Sequence, residues 1–294
     1  MEDSSSTNEA VTSSFLIIFI ILTLTTTTTF AAINFVASPA TTTSTSSSTT
    51  STTTSTANST SSTLPGPPPP VLDGFSQIQY GVQACQTTIS TSKSNDVIVL
   101  FTGAASSGPV FSVTDASKLQ WHLRASAQFN SSGTFIETFA EYYAISASPL
   151  NDDKVSVNYT LSAGTIGCSA LGVSGADAAS PFDPSTGCPS GTGVPRTNES
   201  TPTTINGNMK VCTSNPSDLL ISSIWMKGDA LVSSPAGFTV PPGRLATSPP
   251  VGNSPYLNEA YERVLASQTD LQLTWAFGGD SWAMITDAIS SGGS

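Results

Sequence analysis

The sequence predicts an all-β fold: an antiparallel, jelly-roll-like β-sandwich, preceded by an N-terminal hydrophobic helix and a disordered Ser/Thr/Pro stalk. Three observations predict it. Several segments after residue 71 alternate apolar and polar residues at period two, the signature of half-buried strands. Two more, Asp96-Val-Ile-Val-Leu-Phe101 and Asp218-Leu-Leu-Ile221, are continuous apolar runs that suit strands covered on both faces. Clusters of Gly, Pro, Asn and Ser separate these runs, and no amphipathic helix of ordinary length interrupts them.

Residues 1–14 are polar, with Glu2, Asp3 and Glu9. Residues 15–37 are apolar apart from a Thr run and Asn34. As a helix these 23 residues span about 34 Å, enough for a hydrocarbon core of about 30 Å. Thr hydroxyls bond back to carbonyls inside a helix, so the run is compatible with it. The segment reads as an uncleaved membrane anchor. A cleaved signal peptide is the alternative, because Ala37 and Ala40 are small residues downstream, although no cationic n-region precedes it. Either way the remainder of the chain is expected outside the cell: membrane-anchored at the surface, or secreted if cleavage occurs.

Residues 38–70 form the stalk. Between 41 and 63, 21 of 23 residues are Ser or Thr, too polar to offset the entropy of ordering. Such a tract suits O-glycosylation, and the proline collar Pro65-Gly-Pro-Pro-Pro-Pro70 stiffens its end. Residues 71–294 are then the ectodomain. The net charge of -11 excludes a nucleic-acid partner, whose phosphates would be repelled. A single His, His122, excludes multi-His metal sites within the chain.

Within the ectodomain, Trp121, Leu123, Ala125, Ala127 and Phe129 share one predicted strand face, and His122, Arg124, Ser126 and Gln128 the other. Val155, Val157, Tyr159 and Leu161 alternate likewise, as do Leu271, Leu273, Trp275 and Phe277. The order of segments also echoes itself. Thr91-Ser-Lys-Ser-Asn-Asp96 and Thr213-Ser-Asn-Pro-Ser-Asp218 each precede an apolar strand. Phe111-Ser-Val113 is echoed by Phe238-Thr-Val240, and Val155-Ser-Val-Asn-Tyr159 by Leu271-Gln-Leu-Thr-Trp275. The echo reads as a duplicated half of roughly ninety residues. The plainer alternative is that sandwich strands resemble one another in composition.

The segments Asn95-Asp96, Val113-Thr-Asp-Ala-Ser-Lys-Leu-Gln-Trp121, Glu141-Tyr-Tyr-Ala-Ile145, Gly172-Val-Ser-Gly-Ala176, Asp218-Leu-Leu-Ile221 and Trp282-Ala-Met284 occur in that order. In this the chain, over about residues 85–290, resembles an uncharacterised class of secreted β-sandwich modules in bacterial and archaeal surface proteins. The resemblance implies a sandwich at the cell surface and no catalytic residue.

Cys85, Cys168, Cys188 and Cys212 all follow the stalk. An even number in an exported domain points to two disulfides, with three pairings open. The favoured pairing is Cys188 with Cys212, pinning the Gly/Pro/Ser-rich loop, which leaves Cys85 with Cys168. Four buried free thiols are the alternative. N-glycosylation triplets occur at Asn58, Asn130, Asn158 and Asn198, all expected in stalk, loops or a polar strand face.

Glu137 and Glu141 share one strand face, about 13 Å apart at strand rise, too wide to act as a glycosidase pair by themselves. With Tyr143 they are a candidate sugar-binding platform, an aromatic beside carboxylates. Trp225 and Tyr256 fall outside the strict alternation; an exposed platform could use such aromatics, but the favoured reading is core, where most aromatics of a sandwich lie. Asp152 and Asp153, with Asp177, Asp183 and Asp280, are expected in loops, where carboxylates can hold calcium; no EF-hand spacing is present. No Gly-x-Ser-x-Gly elbow accompanies His122, which reads as an outward residue on a sheet face.

The expected role is a stalked cell-surface binding or adhesion module, for glycans or a neighbouring envelope protein. A structural envelope or virion-surface component is one alternative, and a polysaccharide-degrading jelly-roll enzyme another.

Overall fold

A computed structural model describes residues 68–291 apart from 106–107, 109, 132–134, 161–163, 228–231 and 243–254. The expected anchor at 15–37, the Ser/Thr tract and Asn58 lie outside the described residues. Among the described residues no helix is long and apolar enough to cross a membrane. The chain is all-β, with thirteen strands: β1 (Val71–Phe75), β2 (Gln79–Gly81), β3 (Ala84–Ile89), β4 (Asp96–Ala104), β5 (Val110–Asp115), β6 (His122–Ser131), β7 (Phe135–Ser146), β8 (Asp153–Tyr159), β9 (Ile166–Ser174), β10 (Arg196–Val211), β11 (Leu219–Met226), β12 (Tyr256–Arg263) and β13 (Leu271–Ile289). They lie in the compact unit Ser61–Ser294.

Every sheet is antiparallel. One runs β1-β9-β4-β7-β6, with β2 also on β9; a second runs β10-β13-β11-β12; a third runs β3-β8-β5. The first is a middle layer, and its pleat shows why. Val97, Val99 and Phe101 of β4 pack with Ile221 and Trp225 of β11 and Ile285 of β13. The alternate residues Ile98, Leu100 and Ala104 pack with Ile89 of β3 and Val155 and Val157 of β8. Covered on both faces, β4 and β9 are buried at every position, as their unbroken apolar runs require.

The second sheet is covered differently. The later part of β13 pairs with β11 from Trp282 to Ile289 and, from Trp282 to Thr286, also with β10. Its earlier part, Leu271 to Ala276, stays paired with Asn206–Val211 of β10. Leu273, Trp275 and Phe277 nevertheless pack with Leu220, Ile224 and Met284, so this end of the ribbon folds over the outer face. Trp275 Nε1 donates to Ser222 Oγ at 3.0 Å across that fold. Irregular register between Ser200 and Asn206 accommodates the bend.

One pairing pattern occurs twice. β3 pairs with β8 as the end of β10 pairs with the start of β13, and β4 lies between β9 and β7 as β11 lies between β13 and β12. Thr91 N donates to Leu150 O and Thr213 N to Gln268 O, both at 3.0 Å. Leu150 N and Gln268 N return the bond to the two threonine hydroxyls, both at 3.1 Å.

Two disulfides are present, Cys85–Cys168 and Cys188–Cys212, with Cα separations of 5.9 and 5.6 Å. The first ties β3 of the outer layer to β9 of the middle layer. The second ties the loop before β10 to the residue after it.

The closest approach of the inner sheets is at Trp225. A Cβ on Gly103 would stand 2.2 Å from its indole, and one on Gly167 2.6 Å. These glycines are register partners on β4 and β9, so together they form a seat for the ring. Trp225 and Tyr256 are thus buried core residues, as most aromatics of a sandwich are, and take no part in a surface platform. Gly103→Ala should cost about 3 kcal/mol of unfolding free energy, because both the ring and its seat are enclosed. Gly164→Ala, whose Cβ would meet only Ala105 Cβ at 4.0 Å, should change it by less than about 0.5 kcal/mol. Urea unfolding of the two variants checks this; equal costs would contradict the seat.

Candidate functional site

A cleft of about 510 Å³ opens over one end of the β6–β7 pair. His122, Tyr143 and Ile145 form its floor, residues 117–120 one wall and residues 178–181 another. Both walls are fastened. Asp115 accepts Leu119 N at 3.1 Å and Trp121 Nε1 at 2.8 Å, and Asp153 Oδ1 accepts the amides of Ala116 and Ser117 at 3.0 and 3.1 Å. Lys118 takes a left-handed φ of 60° at the apex of that turn. On the opposite wall, Asp177 Oδ1 accepts Ala179 N at 2.9 Å.

From the floor a stack of rings leads inward. His122 and Tyr143 lie 5.3 Å apart by centroid, and Tyr143 meets Phe182 edge-on at 4.8 Å. The Arg124 guanidinium sits 4.1 Å from the Phe182 centroid, a cation–π contact. Arg124 then donates twice to Asp287, from Nε at 2.7 Å and from Nη2 at 3.3 Å. Regular alternation would have put Arg124 outside, on the same face as His122. A register shift between Leu123 and Ala125 turns it inward and leaves Leu123 exposed.

Glu137 and Glu141 do not form a surface platform with Tyr143. Both are buried between the inner sheets, at 1% and 0% exposure. They share a strand face with Phe139, which is core, so the face that looked chemically promising is the inner one. Glu137 accepts Trp225 Nε1 at 2.7 Å. Glu141 lies beside Asp287 and Arg124. Burial, then the Asp287 charge, holds its carboxyl well above the ordinary range. Burial also raises Asp287, against the pull of Arg124. Both carboxyls are thus pushed toward their protonated forms, and Arg124 favours the charged form of Asp287, to which it is bonded.

Two further acid pairs occupy matching places. Asp73 accepts Ser92 N, Ser92 Oγ and Lys93 N at 2.5, 2.6 and 3.0 Å. Asp183 accepts Ser214 N, Ser214 Oγ and Asn215 N at 2.7, 2.8 and 3.0 Å. Each faces a fully buried aspartate at the foot of a central strand, Asp96 or Asp218. Burial, followed by the facing carboxylate, pushes Asp96 up to about 6 and Asp218 up to about 8. Burial works against Asp73 and Asp183 too, but their many donors outweigh it and lower both. The Asp73–Asp96 pair therefore holds one proton and one charge below about pH 6, and the Asp183–Asp218 pair below about pH 8. The repeated Asn95-Asp96 and Ser217-Asp218 positions before apolar runs were the only trace of this in the sequence.

Asp152 and Asp153 both accept hydrogen bonds from neighbouring loops. Asp152 accepts Ser90 Oγ at 3.1 Å, and Asp153 holds the turn before β6. Among the described residues no group of three or more His, Cys, Asp or Glu is placed to hold a metal ion. Asn130 and Asn198 are exposed, and Asn198 Nδ2 donates to Asn208 O at 2.6 Å. Asn158 is half-buried in mid-sheet, and its Nδ2 donates to Ser112 Oγ at 3.2 Å. Comparison with protein-family models, with curated proteins and with solved structures finds no match.

Two outcomes follow from these charges. The folded chain keeps a proton on Asp218 up to about pH 8, whereas the unfolded chain loses it near the ordinary 3.8. That contribution to stability is complete below about pH 4 and is lost as pH rises to about 8; Asp96 adds the same sign up to about 6. The melting temperature should therefore fall between pH 5 and 8, and Asp218→Asn should flatten the fall. A rising profile, or the same slope in the variant, would contradict the shared proton. Separately, Arg124→Ala should cost about 3 kcal/mol by stranding the buried Asp287 charge, and adding Asp287→Asn should recover part of it. A double-mutant cycle in urea measures the coupling.

Proposed function

We propose that this protein is a stalked, exported binding or adhesion module that meets a glycan in the cleft around Tyr143. The observation that carries the reading is the half-buried Tyr143 ring, set between the His122 ring and the edge of Phe182 on the floor of an open cleft. Sugars present apolar C–H faces that stack on such rings, while their hydroxyls bond to neighbouring amides and hydroxyls. Gln120, Ser117 and Ser148 stand in the lining as such groups. Walls fastened by Asp115, Asp153 and Asp177 need little ordering on binding, which favours affinity. The burial of Glu141 and Asp287, and the Arg124 pair that occupies Asp287, favour binding over hydrolysis, because a glycosidase needs two acids at the substrate.

Two disulfides fit an oxidising, exported setting, in keeping with the secreted surface class the chain resembles. The Ser/Thr tract would then be the tether, with residues 15–37 as anchor or signal. As to architecture, we read the strands as two jelly-roll units packed through their inner sheets. The order β1-β9-β4-β7 against β3-β8-β5 is a jelly-roll pattern. The bridge Phe182–Ile289 with β13, β11 and β12, against the folded β10–β13 ribbon, follows it again. The matched Thr and Asp contacts support a duplication. The likeness is loosest at Phe111-Ser-Val113 and Phe238-Thr-Val240: β5 pairs with β8, whereas Thr239 bridges Tyr261 of β12.

Screening the full-length protein against a panel of surface polysaccharides tests the proposal. Selective binding that Tyr143→Ala weakens by about tenfold, about 1.4 kcal/mol, is the expected result. Unaltered binding in that variant would move the contact away from the cleft.

A further inference from the structure

The cleft differs in charge from the rest of the molecule. The chain carries 20 Asp and Glu against 9 Lys and Arg. Yet among the described residues no carboxylate side chain lines the cleft, whereas Lys118 and the chain's one histidine, His122, both do. Three acids beside its walls accept backbone or indole N–H groups. Asp115 binds the amide of Leu119 and the Trp121 indole N–H, Asp153 the amides of Ala116 and Ser117, and Asp177 the amide of Ala179. Those bonds hold the turn that carries Lys118 in its left-handed conformation, so the ammonium is presented from a fixed backbone.

Resting on the glycan reading above, we infer that the cleft takes an acidic sugar, a uronic acid or another carboxylate-bearing residue of a polysaccharide. Lys118 and a ring N–H of His122 receive the carboxylate, and the Tyr143 ring lies against the sugar face. A charge-assisted bond to the carboxylate is about twice as strong as a neutral one and is formed only by the acidic ligand, which sets selectivity. The surrounding negative charge opposes the approach of a polyanion, so the contact is local and does not arise from the overall field.

The experiment compares binding of the full-length protein, in detergent, to polygalacturonate and to neutral galactan at low salt. Three proteins are measured: wild type, Lys118→Gln, and Lys210→Gln, which alters an exposed lysine on β10. Wild type should prefer polygalacturonate by at least about tenfold. Lys118→Gln should lose about tenfold on polygalacturonate and nothing on galactan, with Lys210→Gln unchanged on both. Equal affinity for the two polymers, untouched by Lys118→Gln, would overturn the acidic class and leave the glycan reading standing. Equal losses from both lysine variants would also overturn it, as diffuse attraction. Binding to neither of these polymers, nor to any other in the panel, would overturn both readings. The unfolding transition of Lys118→Gln, which changes an exposed side chain of similar length, verifies that the fold is intact.

Discussion

The two inner sheets come together where the Trp225 indole rests on a seat without side chains. Facing sheets ordinarily pack about 10 Å apart, with side chains from both filling the gap. Here one side supplies a tryptophan and the other supplies Gly103 and Gly167, hydrogen-bonded neighbours on β4 and β9. The ring thereby positions β11 over the middle sheet, and Nε1 adds a directional bond to Glu137. Phe101, Phe139, Leu171 and Ala283 share the core into which that contact is built.

An interface that also buries Glu137, Glu141, Glu259 and Asp287 must answer for their desolvation, which no apolar contact offsets. The chain does so by different means. Trp225 donates to Glu137, Ser169 Oγ donates to Glu259, Glu141 is pushed toward its protonated form, and Asp287 is paired with Arg124. The last solution shapes the surface. Arg124 reaches Asp287 only because β6 is bulged, and its guanidinium also lies over Phe182, which in turn meets Tyr143 in the cleft. The ring that carries the proposed function is thus supported from below by a buried ion pair.

The acid pairs at the feet of β4 and β11 use the same chemistry for local structure. In each, a carboxylate gathers the amides of the turn that enters a central strand, and a buried aspartate whose pKa is raised stands beside it. The cost is a dependence on pH, since the second proton cannot leave without placing two charges side by side. Its benefit is a turn whose backbone donors are held by a side chain at the entry to the strand.

Much of the fold was legible because strand burial follows directly from period and polarity. The unbroken apolar runs at Val97–Phe101 and Leu219–Ile221 are central strands, and the four cysteines pair as expected in an exported domain. What the sequence determined by itself was the disulfide-bearing all-β class and the central and alternating strands at Asp96–Ala104, His122–Ser131, Asp153–Tyr159, Leu219–Met226 and Leu271–Ile289. Only the tertiary structure decided which face of β7 was inside, and so that Glu137 and Glu141 are buried groups apart from any surface platform. It alone decided that Arg124 turns inward, and that Lys118, His122 and Tyr143 line one cleft. The physical reason is that a period of two names two faces without saying which is covered. A single bulge exchanges them, and only the layers that pack against a strand settle the matter.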